Sequence, residues 1–506
     1  MLNLRSFGKL VSFGAAALCI FGTHDVQAQQ QENCTPVYEE IIPLKNPSFT
    51  NLYLWRRVVG RTGYDWFSRY LELDDGNALT IGISTQNIED ETVPRFLSLT
   101  RYDQEGQILR ERQVALPRVQ NIAGALRLGG VIIVGVNIIQ ADGRVLPQLL
   151  RMNAEGENLK VRDFKEDGIH LEMVDVILNQ DQNLVVSFNS ENQRYTNDMA
   201  SIQYTLDKNL KKIRRRLYMP GTPNRYNQMI VEILNPDGSL AVAGSVDVDS
   251  KIEDKQRLGG WLVNLDKKGA IYWQKSYARG QKAELVRAKS YGERGFVATG
   301  TAWPSLLGEE AKNSALWVMH VDVNGKPLWQ RFITGRHQYG FSAVDMHVFD
   351  DGRIAVLANV KALLPSDKVR SHVRLLTFTP QGTLLQDQAF VEGSESMAHS
   401  MMMNKDGQFR IIGQVFTGYA ESDVKTELET ANVDDTEAVE NPGKQGETKE
   451  LSALDQLSAM SLEESLVADD NEDEGAQRTA FDVLTPVVRG WLLAVARPEP
   501  YKNPCR

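Results

Sequence analysis

The sequence predicts an all-β fold, a seven-bladed β-propeller with four antiparallel strands in each blade. Three observations lead to this prediction: a repeat of 52 to 57 residues, two tight-turn signals in each repeat, and short alternating apolar segments between the turns. The composition, with 42% hydrophobic and 24% charged residues, is typical of a folded chain and excludes a collagen-like or wholly disordered protein.

The first turn of each repeat resembles the Asp-Gly turn of a β-hairpin. Its position is held by Gln182 in the third repeat and by a glycine in the others. These glycines are Gly76, Gly130, Gly238, Gly295, Gly352 and Gly407. Seven such turns predict seven repeats.

The second turn has the form D-x-x-G and follows the third apolar segment of the repeat. Its clearest copies are Asp266–Gly269 and Asp322–Gly325, and a degenerate copy lies at Asp207 to Asn209. Two hairpins per repeat make four strands, and four strands in about 50 residues are typical of a propeller blade.

The seventh repeat lacks its fourth strand, because only nine residues follow Arg497, with Pro498 and Pro500 among them. The N-terminal segment at residues 53–58 supplies a matching strand, in which Trp55 corresponds to Trp273 and Trp329. We therefore predict a propeller over residues 51–497, whose last blade is closed by the N-terminal strand. Residues 29–50 would form an N-terminal extension, and residues 498–506 a C-terminal tail.

Residues 1–28 have the form of a secretory signal peptide. Arg5 and Lys9 precede an apolar stretch over residues 10–22, and the small-residue site at Val26 to Ala28 suits cleavage. A lipoprotein anchor at Cys19 is the alternative, although Leu18 fits it poorly. The prediction is a periplasmic or secreted protein that has no transmembrane span after signal removal and does not bind nucleic acid.

The mature chain would retain two cysteines, Cys34 and Cys505, near opposite termini. In an oxidising compartment they are expected to form a disulfide, and the alternative is two free thiols. A bridge across so long a loop is worth about 4–5 kcal/mol in the chain-entropy model. It requires a fold whose ends meet.

Residues 421–475 interrupt the seventh repeat and carry 18 acidic residues against three lysines, a net charge of −15. Such a composition predicts a disordered acidic insertion. Leu454 and Leu457 belong to a short apolar stripe within it. That stripe is either a helix that folds on a partner or part of a solvated spacer.

Basic residues crowd one outer strand of the third repeat. They are Lys208, Lys211, Lys212, Arg214, Arg215 and Arg216. A surface of this kind attracts acidic ligands, such as an acidic glycan, a lipid headgroup or the chain's own acidic insertion. The alternative is a solvated strand face that discourages edge-to-edge pairing.

No nucleophile elbow, H-E-x-x-H, P-loop or C-x-x-C motif occurs in the sequence. Counting back by the same number of residues from each first-turn position reaches Arg69, Asp175 and Asp345. These residues are expected to lie at the same height, or level, on the inner strands, which are the strands that precede the first turns. The same count puts Ala123 and Ala288 at that level in the second and fifth repeats. We expect no metal and no cofactor, and catalytic residues stay unassigned.

The units that begin at Trp261 and Trp317 follow the pattern W-h-h-x-h-D-x-x-G-x-x-x-W, where h is hydrophobic. In this pattern the chain resembles secreted bacterial propellers, which include quinoprotein-like and envelope propellers. Quinoprotein dehydrogenases carry a threonine before the turn glycine and often an adjacent cysteine pair. Here Lys268 and Asn324 replace the threonine and no such pair exists, so the resemblance does not extend to a bound cofactor.

The function that the sequence favours is a non-catalytic binding or assembly scaffold for an envelope protein or glycan. The alternative is a propeller enzyme, whether a lyase, a hydrolase or a quinoprotein-like oxidoreductase, with its site at the central channel.

Overall fold

The computed structural model describes residues 36–49, 53–60, 63–87, 93–116, 118–192, 199–218, 227–248, 258–280, 282–291, 295–303, 314–335, 339–362, 369–420, 485–499 and 501. Within these ranges the secondary structure is β-strand and turn, which confirms the all-β prediction. The same ranges hold no helical segment with the length and hydrophobicity needed to cross a bilayer. By its internal contacts the chain divides into one unit of Met1–Gly418 with Pro486–Arg506 and another of Tyr419–Thr485.

The first two strands are β1 (Glu39–Pro43) and β2 (Trp55–Val59), and both pair with strands much later in the chain. The strands after them pair in antiparallel runs of four. Sheet 1 contains β3 (Tyr64–Glu72), β4 (Ala78–Thr85), β5 (Arg95–Tyr102) and β6 (Ile108–Ala115). Sheet 2 contains β7 (Val119–Leu128), β8 (Val131–Ile139), β9 (Val145–Met152) and β10 (Lys160–Asp163).

Sheets 3 to 6 repeat this order. Sheet 3 contains β11 (Ile169–Leu178), β12 (Leu184–Asn192), β13 (Met199–Leu206) and β14 (Lys212–Tyr218). Sheet 4 contains β15 (Asn227–Leu234), β16 (Leu240–Asp247), β17 (Leu258–Leu265) and β18 (Ile271–Tyr277). Sheet 5 contains β19 (Ala283–Ser290), β20 (Phe296–Ala302), β21 (Ala315–Val321) and β22 (Pro327–Thr334). Sheet 6 contains β23 (Tyr339–Val348), β24 (Ile354–Ala362), β25 (Ser371–Phe378) and β26 (Leu384–Phe390).

The last group, sheet 7, combines the two ends of the chain. It contains β27 (Glu395–Met403), β28 (Phe409–Ala420), β29 (Thr485–Val495) and β2. Strand β2 runs antiparallel to β29, with Trp55 opposite Ala494 and Val59 opposite Gly490. The N-terminal strand therefore lies in the same sheet as the C-terminal strand.

Strand β1 adds a fifth strand to sheet 5 and runs parallel to β22. Residues 36–49 lie in the segment that the sequence analysis treats only as an N-terminal extension, so this strand is an addition to that prediction. The short stretch Glu39–Pro43 belongs to no repeat, and repeat-based reasoning has no means of finding it.

The D-x-x-G turns form as their sequence predicts. The Asp266 carboxylate accepts hydrogen bonds from the backbone N–H groups of Lys268 at 2.8 Å and Ala270 at 2.7 Å, which holds the turn closed and lowers the pKa of Asp266. In the degenerate third copy, Leu210 takes the glycine position with a φ of 66°. A bulky residue in this left-handed region is strained, so the turn geometry is imposed by the strands around it.

The cores lie between consecutive sheets. Among the described residues, each cluster of buried apolar side chains draws on two neighbouring sheets, as expected where apolar strand faces stack. Trp261, Trp317 and Trp491 are buried in these layers. One such cluster contains Phe67 and Tyr102 from sheet 1 together with Leu492 from sheet 7.

Candidate functional site

The first strands of the seven sheets lie next to one another. Strands β3, β7, β11, β15, β19, β23 and β27 contact each other in this order, and β27 in turn contacts β3. Each of them contains a β-bulge at the equivalent place. The bulges lie between Phe67 and Arg69, Ile122 and Gly124, Met173 and Asp175, Met229 and Val231, Leu285 and Arg287, Ala343 and Asp345, and Ala398 and Ser400. A bulge turns the local backbone and redirects the side chains that flank it.

In two repeats, the residue that follows the bulge is not the one that the sequence predicts at this level. Gly124 and Arg287 occupy the level that the sequence analysis assigns to Ala123 and Ala288. The alignment fails there because the first turn is one residue shorter in the second repeat, whereas in the fifth the turn has the usual length but its glycine lies one residue later. The corrected level contains two arginines and two aspartates: Arg69, Asp175, Arg287 and Asp345.

Asp345 is buried and its carboxylate is fully engaged. One oxygen accepts the backbone N–H of Met346 at 2.9 Å and faces the Nε of Arg287 at 3.2 Å. The other accepts the backbone N–H of Met401 at 2.9 Å and the Ser400 hydroxyl at 3.2 Å. The carboxylate thus ties three consecutive first-strand segments, from sheets 5, 6 and 7, to one another.

Arg69 occupies the same level in sheet 1. Its guanidinium donates to the carbonyl oxygens of Ser68 at 2.9 Å and Ala123 at 2.5 Å. Burial lowers the pKa of Arg69, as does the positive charge of Arg287, whereas Asp175 and Asp345 raise it. The four charged groups are therefore within electrostatic reach of one another.

His399 is the bulged residue of β27 and lies beside this cluster. Its Nε2 is 3.3 Å from Oε1 of Gln414. Burial, together with the smaller effect of the Arg69 charge, lowers the pKa of His399 to about 4, although the contact with Gln414 opposes both. The imidazole is consequently neutral near pH 7.

The bonding in this cluster favours a structural network over a reaction centre. A carboxylate with four donors has no lone pair directed at a substrate, and both arginines donate to backbone carbonyls. Over the described ranges, no three His, Cys, Asp or Glu side chains lie close enough together to hold a metal ion.

Three asparagines position the bulged strands, and the sequence analysis missed them. Asn137 of β8 donates to the carbonyl of Met173 and accepts its backbone N–H, both at 2.8 Å. Asn189 and Asn359 make the same pair of bonds to Met229 and Ala398. The signal in the sequence is clearest in β8, where Asn137 is the single polar side chain of the strand, since a buried amide needs partners.

The basic residues of the third repeat lie on β14, the outer strand of sheet 3, or just before it. Arg215 forms a bidentate ion pair with Glu166, at 2.7 and 2.8 Å, which raises the pKa of Arg215. The ammonium of Lys212 lies 5.3 Å from the ring centre of Tyr204. Lys208 and Lys211 are exposed in and after the turn that precedes the strand.

The opposite side of β14 faces the 266–269 turn of sheet 4. Arg214 donates to the carbonyl of Lys268, and the Tyr218 hydroxyl donates to that of Gly269 at 2.9 Å. The Nε of Arg216 is buried on this side without a hydrogen-bond partner among the described residues. The predicted basic strand is therefore exposed but partly engaged, because Arg214 bonds to the turn of sheet 4 and Arg215 to Glu166.

Several predicted features lie outside the described residues: the signal peptide at 1–28, Cys34, Cys505, the acidic insertion at 421–475, and Leu454 and Leu457 within it. Their predictions stay as stated above.

No protein-family model and no curated protein matches the sequence. Among solved structures, the chain is similar to an α-L-arabinofuranosidase of Fusarium graminearum in complex with arabinobiose, at 10% identity and a TM-score of 0.35, over 66% of this chain and 96% of that one. A virginiamycin B lyase from Staphylococcus aureus aligns at 8% identity with a TM-score of 0.39, over 71% of this chain and 95% of that one. Sqt1 from Chaetomium thermophilum aligns at 12% identity with a TM-score of 0.40, over 73% of this chain and 84% of that one. Similarities this low do not bear on function.

Proposed function

We propose that this protein is a secreted or periplasmic β-propeller of seven blades that acts as a non-catalytic binding scaffold. The order of contacts among the first strands, from β3 through β27 and back to β3, supports a closed ring. The apolar cluster shared by sheets 7 and 1 supports it too, since it resembles the clusters between the other neighbouring sheets.

Contacts at the outer strands support the same closure. Tyr218 of sheet 3 bonds to the turn glycine of sheet 4, and Tyr277 of sheet 4 bonds to Gly325 of sheet 5 at 2.7 Å. Arg57 on β2 makes the equivalent bond to Gly106 of sheet 1, at 2.7 Å. The N-terminal strand therefore makes the same kind of contact between sheets 7 and 1 that the other outer strands make between their own sheet and the next.

The observation that carries the scaffold role is the basic surface of sheet 3. Lys211, Lys212 and Arg214 to Arg216 line one outer strand, and Ile213 and Leu217 on that strand are 54% and 47% exposed. Positive charge beside exposed apolar groups suits an acidic binding partner. The enzyme alternative would need a reaction centre at the bulged strands, where Asp345 is already occupied, so we do not adopt it.

The experiment is a binding measurement on acidic polymers. Immobilised polyglutamate and a sulfated polysaccharide are each compared with neutral dextran, using the wild type and the triple variant Lys211→Gln, Lys212→Gln, Arg216→Gln. We expect binding that weakens with salt and is lost in the triple variant.

The matched control removes three other exposed positive charges, through Arg110→Gln, Arg144→Gln and Lys160→Gln on sheets 1 and 2. It should bind as the wild type does. Equal loss of polymer binding in both variants would mean that only net charge matters. Polymer binding retained by the β14 triple variant would refute the role of β14.

A further inference from the structure

Strand β1 shows that an outer strand of this fold can accept a further strand. It runs parallel to β22, with Glu40 opposite Arg331. The backbone N–H of Gln330 donates to the carbonyl of Tyr38, and that of Leu44 donates to Thr334, both at 2.8 Å. The added segment thus satisfies backbone groups that an outer strand otherwise leaves unpaired.

Arginine side chains secure this added strand. The buried Arg331 donates to the carbonyl of Val37 at 2.8 Å and lies 3.3 Å from the carboxylate of Glu40. Arg279 pairs with Glu39 at 3.4 Å. After these two glutamates, Ile42 packs against the apolar core shared by sheets 5 and 6. The segment that docks is therefore both acidic and apolar.

Strand β14 has an arginine, Arg216, at the position equivalent to Arg331, the residue that contacts β1. Arg331 follows Asp322 of its turn by nine residues, and Arg216 follows Asp207 by the same number. Both arginines lie against the turn glycine of the next sheet: Arg331 Nε donates to Gly382 at 2.9 Å, and Arg216 lies beside Gly269. Arg216 differs in that its buried Nε has no partner among the described residues.

The two sides of β14 also define the pattern of a matching strand. Arg214 and Arg216 face the turn of sheet 4, and Ile213 and Leu217 are exposed on the alternate side with Arg215. Side chains of a strand alternate between its two sides with a period of two residues. A strand with an acidic and an apolar residue on each side, as in β1, would place its carboxylates beside Arg215 and Arg216 and an apolar group beside Leu217.

We propose that the outer edge of β14 binds an extended, acidic–apolar polypeptide segment of a partner protein by β-strand addition. This inference rests on the proposed function, because it names the partner class of the same basic surface. Main-chain hydrogen bonds supply the affinity in this mode of recognition, and alternate side chains supply the specificity. In sheet 3, β14 is the terminal strand over the described residues, so its outward edge has no strand partner there.

The probe is a synthetic peptide with the sequence of residues 37–44, VYEEIIPL, which the fold already accepts on β22. Hydrogen–deuterium exchange of the full chain is measured with and without the peptide. We expect slower exchange over Lys212–Tyr218, where alternate amides face away from β13, and no change over β18, an outer strand with a single basic residue, Lys275.

Two matched controls separate strand addition from charge attraction. A peptide N-methylated at every backbone amide keeps every side chain but has no N–H group to donate from either edge, and it should not bind. The variant Arg216→Gln should bind the unmodified peptide with an affinity about tenfold or more below that of the wild type, since a charge-assisted contact is lost. The control variant Lys160→Gln should bind the peptide as the wild type does.

The outcomes are distinguishable. Equal binding of both peptides, or binding without protection of β14, overturns strand addition but leaves an acid-binding surface. Binding of a sulfated polysaccharide, with no binding of either peptide, also overturns strand addition and makes a glycan the partner. Failure of peptides and acidic polymers alike refutes the proposed function itself.

Discussion

Replacing Asn137 by alanine tests whether the amide bonds between sheets hold the bulged strands in place. Asn137 is fully buried, and its side chain satisfies both the N–H and the carbonyl of Met173. Truncation leaves two buried backbone groups without partners, at about 1–3 kcal/mol each, so we expect a loss of about 2–6 kcal/mol in the free energy of unfolding. Such a loss is a large part of the stability of a typical protein.

Urea titration followed by tryptophan fluorescence measures this loss as a lower transition midpoint. The matched control is Ser245→Ala, at the equivalent position of β16, where the side chain makes no comparable pair of bonds to the next sheet. Ile83 holds this position in β4, which shows that an apolar residue is tolerated there. If Asn137→Ala unfolds within about 0.5 kcal/mol of the wild type, the amide does not fasten sheet 3 to sheet 2.

Three further predictions concern pH, the insertion and the chain ends. His399 has a pKa of about 4 in the fold and an ordinary value of 6.5, so the unfolded chain binds its proton first and stability should fall as the pH drops from about 6.5 towards 4. His399→Gln should flatten that part of a stability–pH curve. Deletion of residues 421–475, joined by a short linker, should leave the melting temperature nearly unchanged, because a segment of that composition buries little apolar surface. Alkylation of the unreduced mature protein should label neither Cys34 nor Cys505.

Each of these has a contrary result. An unchanged pH profile in His399→Gln would mean that other groups cause the acid instability, for example His372, whose pKa burial lowers to about 3. A large drop in melting temperature on deletion would mean that the insertion is packed. Labelling of both cysteines would exclude the terminal disulfide.

The parts of the fold that the sequence predicts are those encoded by local signals. The aspartate and glycine of the D-x-x-G turns carry their own hydrogen bonds, so these turns reveal the strand pairs directly. The bulges have no such signal. Their position depends on pairing with the second strand. In the fifth repeat the turn glycine lies one residue later than in the first repeat, so counting back from it misses Arg287.

Features that depend on a distant partner escaped the sequence analysis for the same reason. The five residues of β1 resemble any short polar segment until β22 is placed beside them, and Asn359 is one polar residue in an apolar strand until Ala398 faces it. The basic strand was visible from its composition. The contacts of Arg214 and Arg215 were not, because they depend on the turn of sheet 4 and on Glu166.

The pairing of β2 with β29 has a consequence for how the protein is made. Val59 and its partner Gly490 lie 431 positions apart, so the strand that emerges early in synthesis waits for nearly the whole chain before it can pair. Contacts of such long sequence separation form slowly, and an unpaired strand is prone to aggregate in the meantime. We expect truncated products that lack residues after 485 to retain an exposed β2 and to depend on chaperones. The full-length chain would bury that strand only in its final step of assembly.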